Sequence, residues 1–195
     1  MKKSVVVVLS LAAGFASADF IDFENDGFGS VANGFVSVDS ANVSFSDTFG
    51  ADLVLNVYPE GDGNSLAVFD DDASRLLMSF SGTVSNLSLD FGNDDGGYVG
   101  GTPIYAFLRG LLGGVETALV SIAANNDDLM NQSISIAGEF DQIEFYYALG
   151  DGSELGLIEV VDNINFEMAV VPLPPGAFAG LALLGGMGAY RRIRR

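Results

Sequence analysis

The chain has 195 residues, a formal net charge of −18, and no His, Cys or Trp. Without His and Cys, imidazole acid–base catalysis, thiol chemistry and metal sites built from these ligands are excluded. All 26 acidic side chains lie between Asp19 and Glu167, where Arg75 and Arg109 are the only two basic ones, giving a formal charge of −24. A field of that sign attracts divalent cations and repels nucleic acid, so no nucleic acid partner is expected.

The first 18 residues have the three parts of a secretory signal peptide. Lys2 and Lys3 form a basic start, an apolar run follows, and Ala16 and Ala18 form a small-residue A-x-A site. This order predicts cleavage between Ala18 and Asp19. The alternative, a buried strand at VVVVL, leaves the flanking lysines and alanines unexplained. The chain is therefore predicted to be exported.

Residues 19–169 are predicted to form one all-β domain, because no linker or charge block divides them. Short segments with period-2 alternation recur between Gly, Asn and Asp residues, and no helical stripe appears before the tail. The expected fold is a two-sheet antiparallel β-sandwich, jelly-roll-like, flanked by an N-terminal signal helix and a C-terminal hydrophobic helix. The predicted strands are Phe20–Phe23, Gly34–Val38, Val43–Ser46, Asp52–Val57, Ser65–Phe69, Arg75–Phe80, Val84–Phe91, Ile104–Arg109, Thr117–Ala123, Gln132–Ile136, Gln142–Tyr147 and Ile158–Phe166.

The two ends of this domain carry related motifs, FIDFEN from Phe20 and VDNINFE from Val161. The pair resembles the opening and closing strands of galactose-binding-like and carbohydrate-binding modules. The resemblance implies that the end strands lie side by side. It also implies a structural Ca²⁺ held by Asp22, Glu24 and Asp162, with Asp26 nearby. The alternative is that these acids are solvated residues at strand ends, as a domain with 26 acids would place by chance.

Other candidate sites are weaker. The acidic runs at 70–72 and 93–97 lack the spacing of an EF-hand loop, and 125–128 and 151–152 are predicted to be turns. Tyrosines that could stack on sugar rings are Tyr98, Tyr105, Tyr146 and Tyr147, although the last two alternate faces, so at most one is exposed. Glu139, Glu144 and Glu159 leave open a secreted glycosidase or lyase that uses paired carboxylates. No phosphate-binding glycine motif supports nucleotide binding.

The tail, residues 170–195, has a proline hinge, an apolar run and an arginine cluster in that order. Proline ends the preceding fold, the uncharged run suits a helix in lipid, and arginines mark the cytoplasmic side. The run is shorter than the ~20 residues that span a bilayer comfortably, which suits a cleavable signal. The hinge and cluster comprise Val171, Pro172, Leu173, Pro174 and Pro175, then Arg191, Arg192, Arg194 and Arg195.

This pattern resembles the C-terminal sorting signal of PEP-CTERM proteins, the exosortase substrates of Gram-negative bacteria. Val171, Pro172 and Pro174 match the motif, whereas Leu173 stands where Glu is usual, as in a VPLPP variant. The resemblance implies transient anchoring in the inner membrane, an exosortase-like processing enzyme, and delivery to the envelope or extracellular matrix. An ordinary C-terminal anchor is the alternative. The sequence thus predicts an exported, non-enzymatic protein with a structural, adhesive or glycan-binding role, extracellular polysaccharide being a candidate partner.

Overall fold

A computed structural model describes residues 18–58, 63–69, 72–92, 102–127 and 129–169. All of them belong to one compact unit, Ser17–Ala169. Ala16 of the predicted cleavage site, the predicted sorting signal at 170–195 and both predicted flanking helices lie outside the described residues. Within the described ranges, no helix is long and apolar enough to cross a membrane.

The described residues form ten strands, and each strand pairing is antiparallel. Alternation is clear in β3, where every second side chain is buried and those between are half-buried. This is the period-2 pattern of a strand with one face on a core. The strands are β1 (Ala18–Ile21), β2 (Gly29–Val31), β3 (Val43–Asp47), β4 (Leu53–Val57), β5 (Asn64–Val68), β6 (Leu76–Gly92), β7 (Ile104–Leu112), β8 (Val115–Ala123), β9 (Gln132–Leu149) and β10 (Glu159–Met168).

Two long strands, β6 and β9, take part in both layers of the sandwich. The first layer contains β2, β4, β5, β10 and β1, together with the second half of β6 and the first half of β9. The second layer contains β3, β7 and β8 with the remaining halves. The register between β6 and β9 shifts near their middles, where Asn86 and Gly138 have φ of 61° and 143°. Such bulges bend a strand, which lets β6 and β9 pass from one layer to the other.

The core lies between the two layers. Phe91, in the first-layer half of β6, contacts Phe145 and Tyr147 in the second-layer half of β9, with ring centroids 5.7 and 6.2 Å apart. Phe23, after β1, meets Phe45 of β3 edge-on at 5.5 Å. These aromatic residues are all fully buried. The predicted all-β, antiparallel β-sandwich is therefore confirmed, while its jelly-roll connectivity stays a prediction.

Strand positions from the sequence agree with the structure for most elements. The predicted pairing of the end strands is confirmed, because β1 pairs with β10 and places Phe20 opposite Asn165. The predicted strand Gly34–Val38 is wrong: only Phe35 forms an isolated bridge, to Phe45. Two pairs of predicted strands are single bulged strands, β6 and β9, and the short strand β2 was not predicted.

Candidate functional site

A cluster of aromatic and charged side chains covers the outer face of β7 and β9. Alternation along β7 buries Ile104 and Leu108, so Tyr105, Phe107 and Arg109 lie half-buried on the opposite face. In β9, the same alternation buries Phe145 and directs the neighbouring Glu144 and Tyr146 outward. Adjacent strands thus present aromatic and charged residues to the same side.

The strand register brings these residues into direct contact. Phe107 lies opposite Tyr146, and Arg109 lies opposite Glu144. The rings of Phe107 and Tyr146 stack with centroids 5.3 Å apart and planes 9° from parallel, and Tyr105 lies 6.5 Å from Phe107. Cross-strand aromatic pairs of this kind stabilise a sheet face and also form an apolar platform.

Arg75, just before β6, lies over the Tyr146 ring with its guanidinium carbon 4.5 Å from the centroid. This cation–π contact covers Tyr146, which is 8% exposed. Burial raises the pKa of the Tyr146 hydroxyl, so the ring stays neutral well above physiological pH.

A chain of alternating charges runs beside the rings. Arg109 bonds to Glu116 at 2.8 Å and to Glu144 at 3.2 Å, and Arg75 bonds to Glu144 and Glu154. Burial lowers the pKa of Arg75, but its bonds to Glu154 and Glu144 outweigh this and hold the pKa above its ordinary value. Both basic residues of the domain are therefore used here. We name Tyr105, Phe107, Tyr146, Arg75 and Arg109 the aromatic–arginine face.

This face suits a ligand with apolar and hydroxyl-bearing sides. Ring surfaces can pack against C–H groups, while guanidinium and carboxylate groups at the margin can bind hydroxyls. It is poorly suited to acid–base chemistry, because Glu144 is held by two guanidinium groups. Glu159, another predicted catalytic carboxylate, is fully buried, and Glu139 is exposed on β9.

The predicted tyrosines have different positions. Tyr105 and Tyr146 are on the aromatic–arginine face, although Arg75 covers Tyr146. Tyr147 is in the core and donates a 2.6 Å hydrogen bond to the Gly92 carbonyl. The prediction that at most one of the adjacent tyrosines is exposed is confirmed. Tyr98 lies outside the described residues.

The sequence did not single out Phe107, Arg75 or Arg109 as site residues. A usable signal was present, because Arg75 and Arg109 are the only basic side chains among 26 acids. Their convergence on Glu144 depends on strand register, which the local pattern does not encode.

The three predicted calcium ligands are near the end strands, and each bonds to protein donors. Asp22 Oδ1 accepts from the Glu24 amide at 3.1 Å, and Glu24 Oε1 accepts from the Asn64 amide at 2.7 Å. Asp162 accepts from the Asn163 amide at 2.7 Å. In the part of the chain that the structure describes, no three Asp, Glu, His or Cys side chains are grouped to hold a metal ion. Calcium at these residues gains no support from their geometry and stays a prediction.

The predicted signal cleavage falls at the start of β1. Ala18 pairs with Glu167, and Asp19 accepts hydrogen bonds from Ser40 and Asn42. Cleavage before Asp19 would remove only the first residue of β1. Nothing in the pairing therefore conflicts with the predicted mature end.

A separate shallow groove of about 650 Å³ crosses β6, β9 and β10. Its lining is more apolar than polar, and its polar side chains are Asn86, Ser88, Ser135, Asn165 and Glu167. It offers hydrogen-bonding groups but no exposed aromatic ring among its described lining residues. The aromatic–arginine face combines both kinds of contact, so it is the stronger candidate site.

Comparison with known proteins gives no matching family model and no matching curated protein. Among solved structures, the chain is similar to an arabinose-bound MgGH51 α-L-arabinofuranosidase, with 12% identity and a TM-score of 0.49 over 77% of this chain. It spans only 26% of that enzyme. The K2 cleaved adhesin domain of Lys-gingipain has 16% identity and a TM-score of 0.43, over 78% of this chain and 99% of the domain. The CBM22-1 xylan-binding domain from Paenibacillus barcinonensis Xyn10C has 12% identity and a TM-score of 0.42, over 82% and 100%.

Proposed function

We propose that this protein is a non-enzymatic glycan-binding module whose aromatic–arginine face takes sugar units of an extracellular polysaccharide. The observation that carries the proposal is the parallel, stacked Phe107–Tyr146 pair, with Tyr105 beside it and both arginines of the domain at its margin. A sugar ring has an apolar face and a hydroxyl edge, which match these two kinds of group. We also propose that the strands of the two layers are connected as in a jelly roll.

The preferred ligand is expected to be a neutral glycan. The positive charges of Arg75 and Arg109 are already balanced by Glu144, Glu116 and Glu154. The domain as a whole has 26 acidic against two basic side chains between residues 19 and 169. An anionic polysaccharide would approach against that field, whereas a neutral one would not.

The test is affinity electrophoresis of the protein expressed as the full chain, in gels containing neutral or anionic polysaccharides. We expect at least one neutral polysaccharide to retard the wild type, and Phe107→Ala to reduce that retardation about tenfold or more, a loss of about 1.4 kcal/mol. Phe28→Ala is the matched control, because Phe28 is a 68% exposed phenylalanine away from this face.

Equal retardation of Phe107→Ala and the wild type would contradict this binding face. Release of new reducing ends from the polysaccharide during incubation would instead favour the alternative, a glycosidase or lyase.

We further propose that the protein is exported and sorted to the cell envelope or extracellular matrix. This part rests on the signal-peptide pattern at 1–18 and the three-part tail at 170–195. The tail would hold the chain transiently in the inner membrane until an exosortase-like enzyme processes it. Mass spectrometry of the exported protein from its host should show a chain that begins at Asp19 and lacks Arg195. An exported form with Arg195 intact would contradict processing and leave a plain membrane anchor.

A further inference from the structure

Five oxygen-bearing side chains lie at one end of the sandwich, where Ser74 directly precedes Arg75 of the aromatic–arginine face. Asp47 ends β3, Asp52 precedes β4, Ser74 precedes β6, and Glu159 begins β10. Register explains the meeting: Asp47 lies opposite Leu76 at the start of β6, and Leu53 and Glu159 both lie opposite Val68 of β5. We name Asp47, Asp52, Asp72, Ser74 and Glu159 the acidic end.

Asp47 and Asp52 direct carboxylate oxygens to the same small space. A Cβ placed on Gly50 would lie 2.5 Å from Asp47 Oδ2 and 2.7 Å from Asp52 Oδ1. The two side chains are within hydrogen-bonding reach of each other. Two carboxylates this close repel each other unless a proton or a cation lies between them. The glycine keeps open the space over which they converge.

The first independent sign of a ligand is Ser74. Its side chain lies beside Asp47 and is 2% exposed, yet Ser74 Oγ forms no hydrogen bond of normal length and angle with a described residue. Asp47 is 5% exposed; its Oδ1 accepts from the Phe49 amide at 2.9 Å, whereas its Oδ2 forms no such bond with a described residue. Buried hydroxyl and carboxylate oxygens are normally satisfied, because leaving them without a partner costs about 1–3 kcal/mol each.

Glu159 is the second sign. It is fully buried, and neither of its carboxylate oxygens has a hydrogen-bond partner in the part of the chain that the structure describes. Glu159 lies opposite Val68 of β5, which is also opposite Leu53, the residue that follows Asp52. The adjacent cation is engaged elsewhere, since Arg75 bonds to Glu144 and Glu154.

We propose that the acidic end binds one calcium ion, held by Asp47 and Asp52 with Ser74 Oγ beside them. Calcium accepts six to eight oxygen ligands, including hydroxyls, backbone carbonyls and water as well as carboxylates. Asp47 and Asp52 would be the two carboxylate ligands, and backbone carbonyls and water would complete the shell, since no three Asp, Glu, His or Cys side chains are grouped to hold a metal among the described residues. The ion would neutralise the convergent carboxylates and fix the start of β4 and β6 to the end of β3.

Calcium binding is tested by isothermal titration and thermal unfolding of the protein expressed as the full chain, in metal-free buffer. We expect one site with a dissociation constant of roughly 10⁻⁴ to 10⁻³ M, the range of extracellular modules. Saturating calcium should raise the Tm by roughly 5 °C. Asp47→Asn should weaken binding about tenfold or more.

Gly50→Ala tests the same site in case Asp47→Asn fails to fold. Gly50 is exposed and its added Cβ meets only the ends of the Asp47 and Asp52 side chains, which would be forced apart. This variant should fold and lose calcium binding about tenfold. Gly27→Ala is the matched control, because its Cβ would meet nothing within 4 Å. Glu24→Gln is expected to bind calcium like the wild type.

Absence of calcium binding in the wild type would overturn the proposal and leave shared protons to hold these carboxylates together. Calcium binding lost in Glu24→Gln but retained in Gly50→Ala would also overturn it, and would place the ion at the end strands. Equal binding by Gly50→Ala and Gly27→Ala would contradict the role of the space over Gly50.

Discussion

The aromatic–arginine face and the acidic end differ in whether their carboxylates contact a basic side chain. On the face, Glu116, Glu144 and Glu154 each contact a guanidinium. At the acidic end, neither Asp47 nor Glu159 forms a salt bridge with any described residue. A domain with only two basic side chains cannot neutralise both regions. Its buried carboxylates at the second region must therefore hold protons or attract cations from solution.

The contrast also separates two kinds of surface. Paired charges around stacked rings leave the face locally balanced, which suits a neutral ligand bound by packing and hydrogen bonds. At the acidic end, no described basic side chain forms a salt bridge with Asp47 or Glu159, which suits a small cation. The two regions are consequently expected to respond to different changes, the face to ring and arginine substitutions and the acidic end to pH and calcium.

The largest change in the free energy of unfolding is expected from replacing Glu159, measured with EDTA present. Burial raises its folded-state pKa well above 4.5, so below pH 4.5 both the folded and unfolded states carry the proton. As pH rises above 4.5, the unfolded chain loses this proton first, and stability falls by about 1.4 kcal/mol per pH unit until the folded pKa is reached. Glu159→Gln should remove this slope.

Urea unfolding of the two proteins between pH 5 and pH 7 checks this prediction, and the stability difference should shift in favour of Glu159→Gln as the pH rises. Glu139→Gln is the control, because Glu139 is exposed on the same chain. A stability difference between wild type and Glu159→Gln that does not change with pH would contradict a raised pKa.

A smaller loss of stability is expected from replacing the arginines of the aromatic–arginine face. Arg75→Ala removes two ion pairs and the cover of Tyr146, and should cost about 1–3 kcal/mol in the free energy of unfolding. Arg109→Ala should cost less, about 0.5–1 kcal/mol, because its partner Glu116 is 45% exposed and water replaces the pair. Chemical denaturation compares the two variants directly. A greater loss for Arg109→Ala would contradict the central place of Arg75 in the face.

Local pattern was enough to predict most of the fold. Alternation in Ser85–Phe91 and Gln132–Ile136 correctly indicated strands, and the similar end motifs indicated the pairing of β1 with β10. The pattern failed at Gly34–Val38. This apolar segment lies in a loop in which only Phe35 forms a bridge, to Phe45. It also divided β6 and β9, because the polar residues at each bulge resemble those of a turn.

The candidate sites were harder to predict than the fold. Phe107 and Tyr146 are 39 positions apart in the sequence, and only the register of β7 with β9 makes them stack. Asp47, Ser74 and Glu159 likewise meet because β3 ends, and β6 and β10 begin, at the same end of the sandwich. Long-range register follows from the whole set of strand pairings and not from any one segment.

The central claim, glycan binding at the aromatic–arginine face, is tested most directly by hydrogen–deuterium exchange of the full chain with and without a polysaccharide that retards it in gels. Protection of backbone amides in β7 and in residues 142–149 is the expected result. The groove at Asn86, Ser88 and Asn165 should exchange at the same rate in both samples. Protection confined to that groove, with β7 unchanged, would contradict the claim.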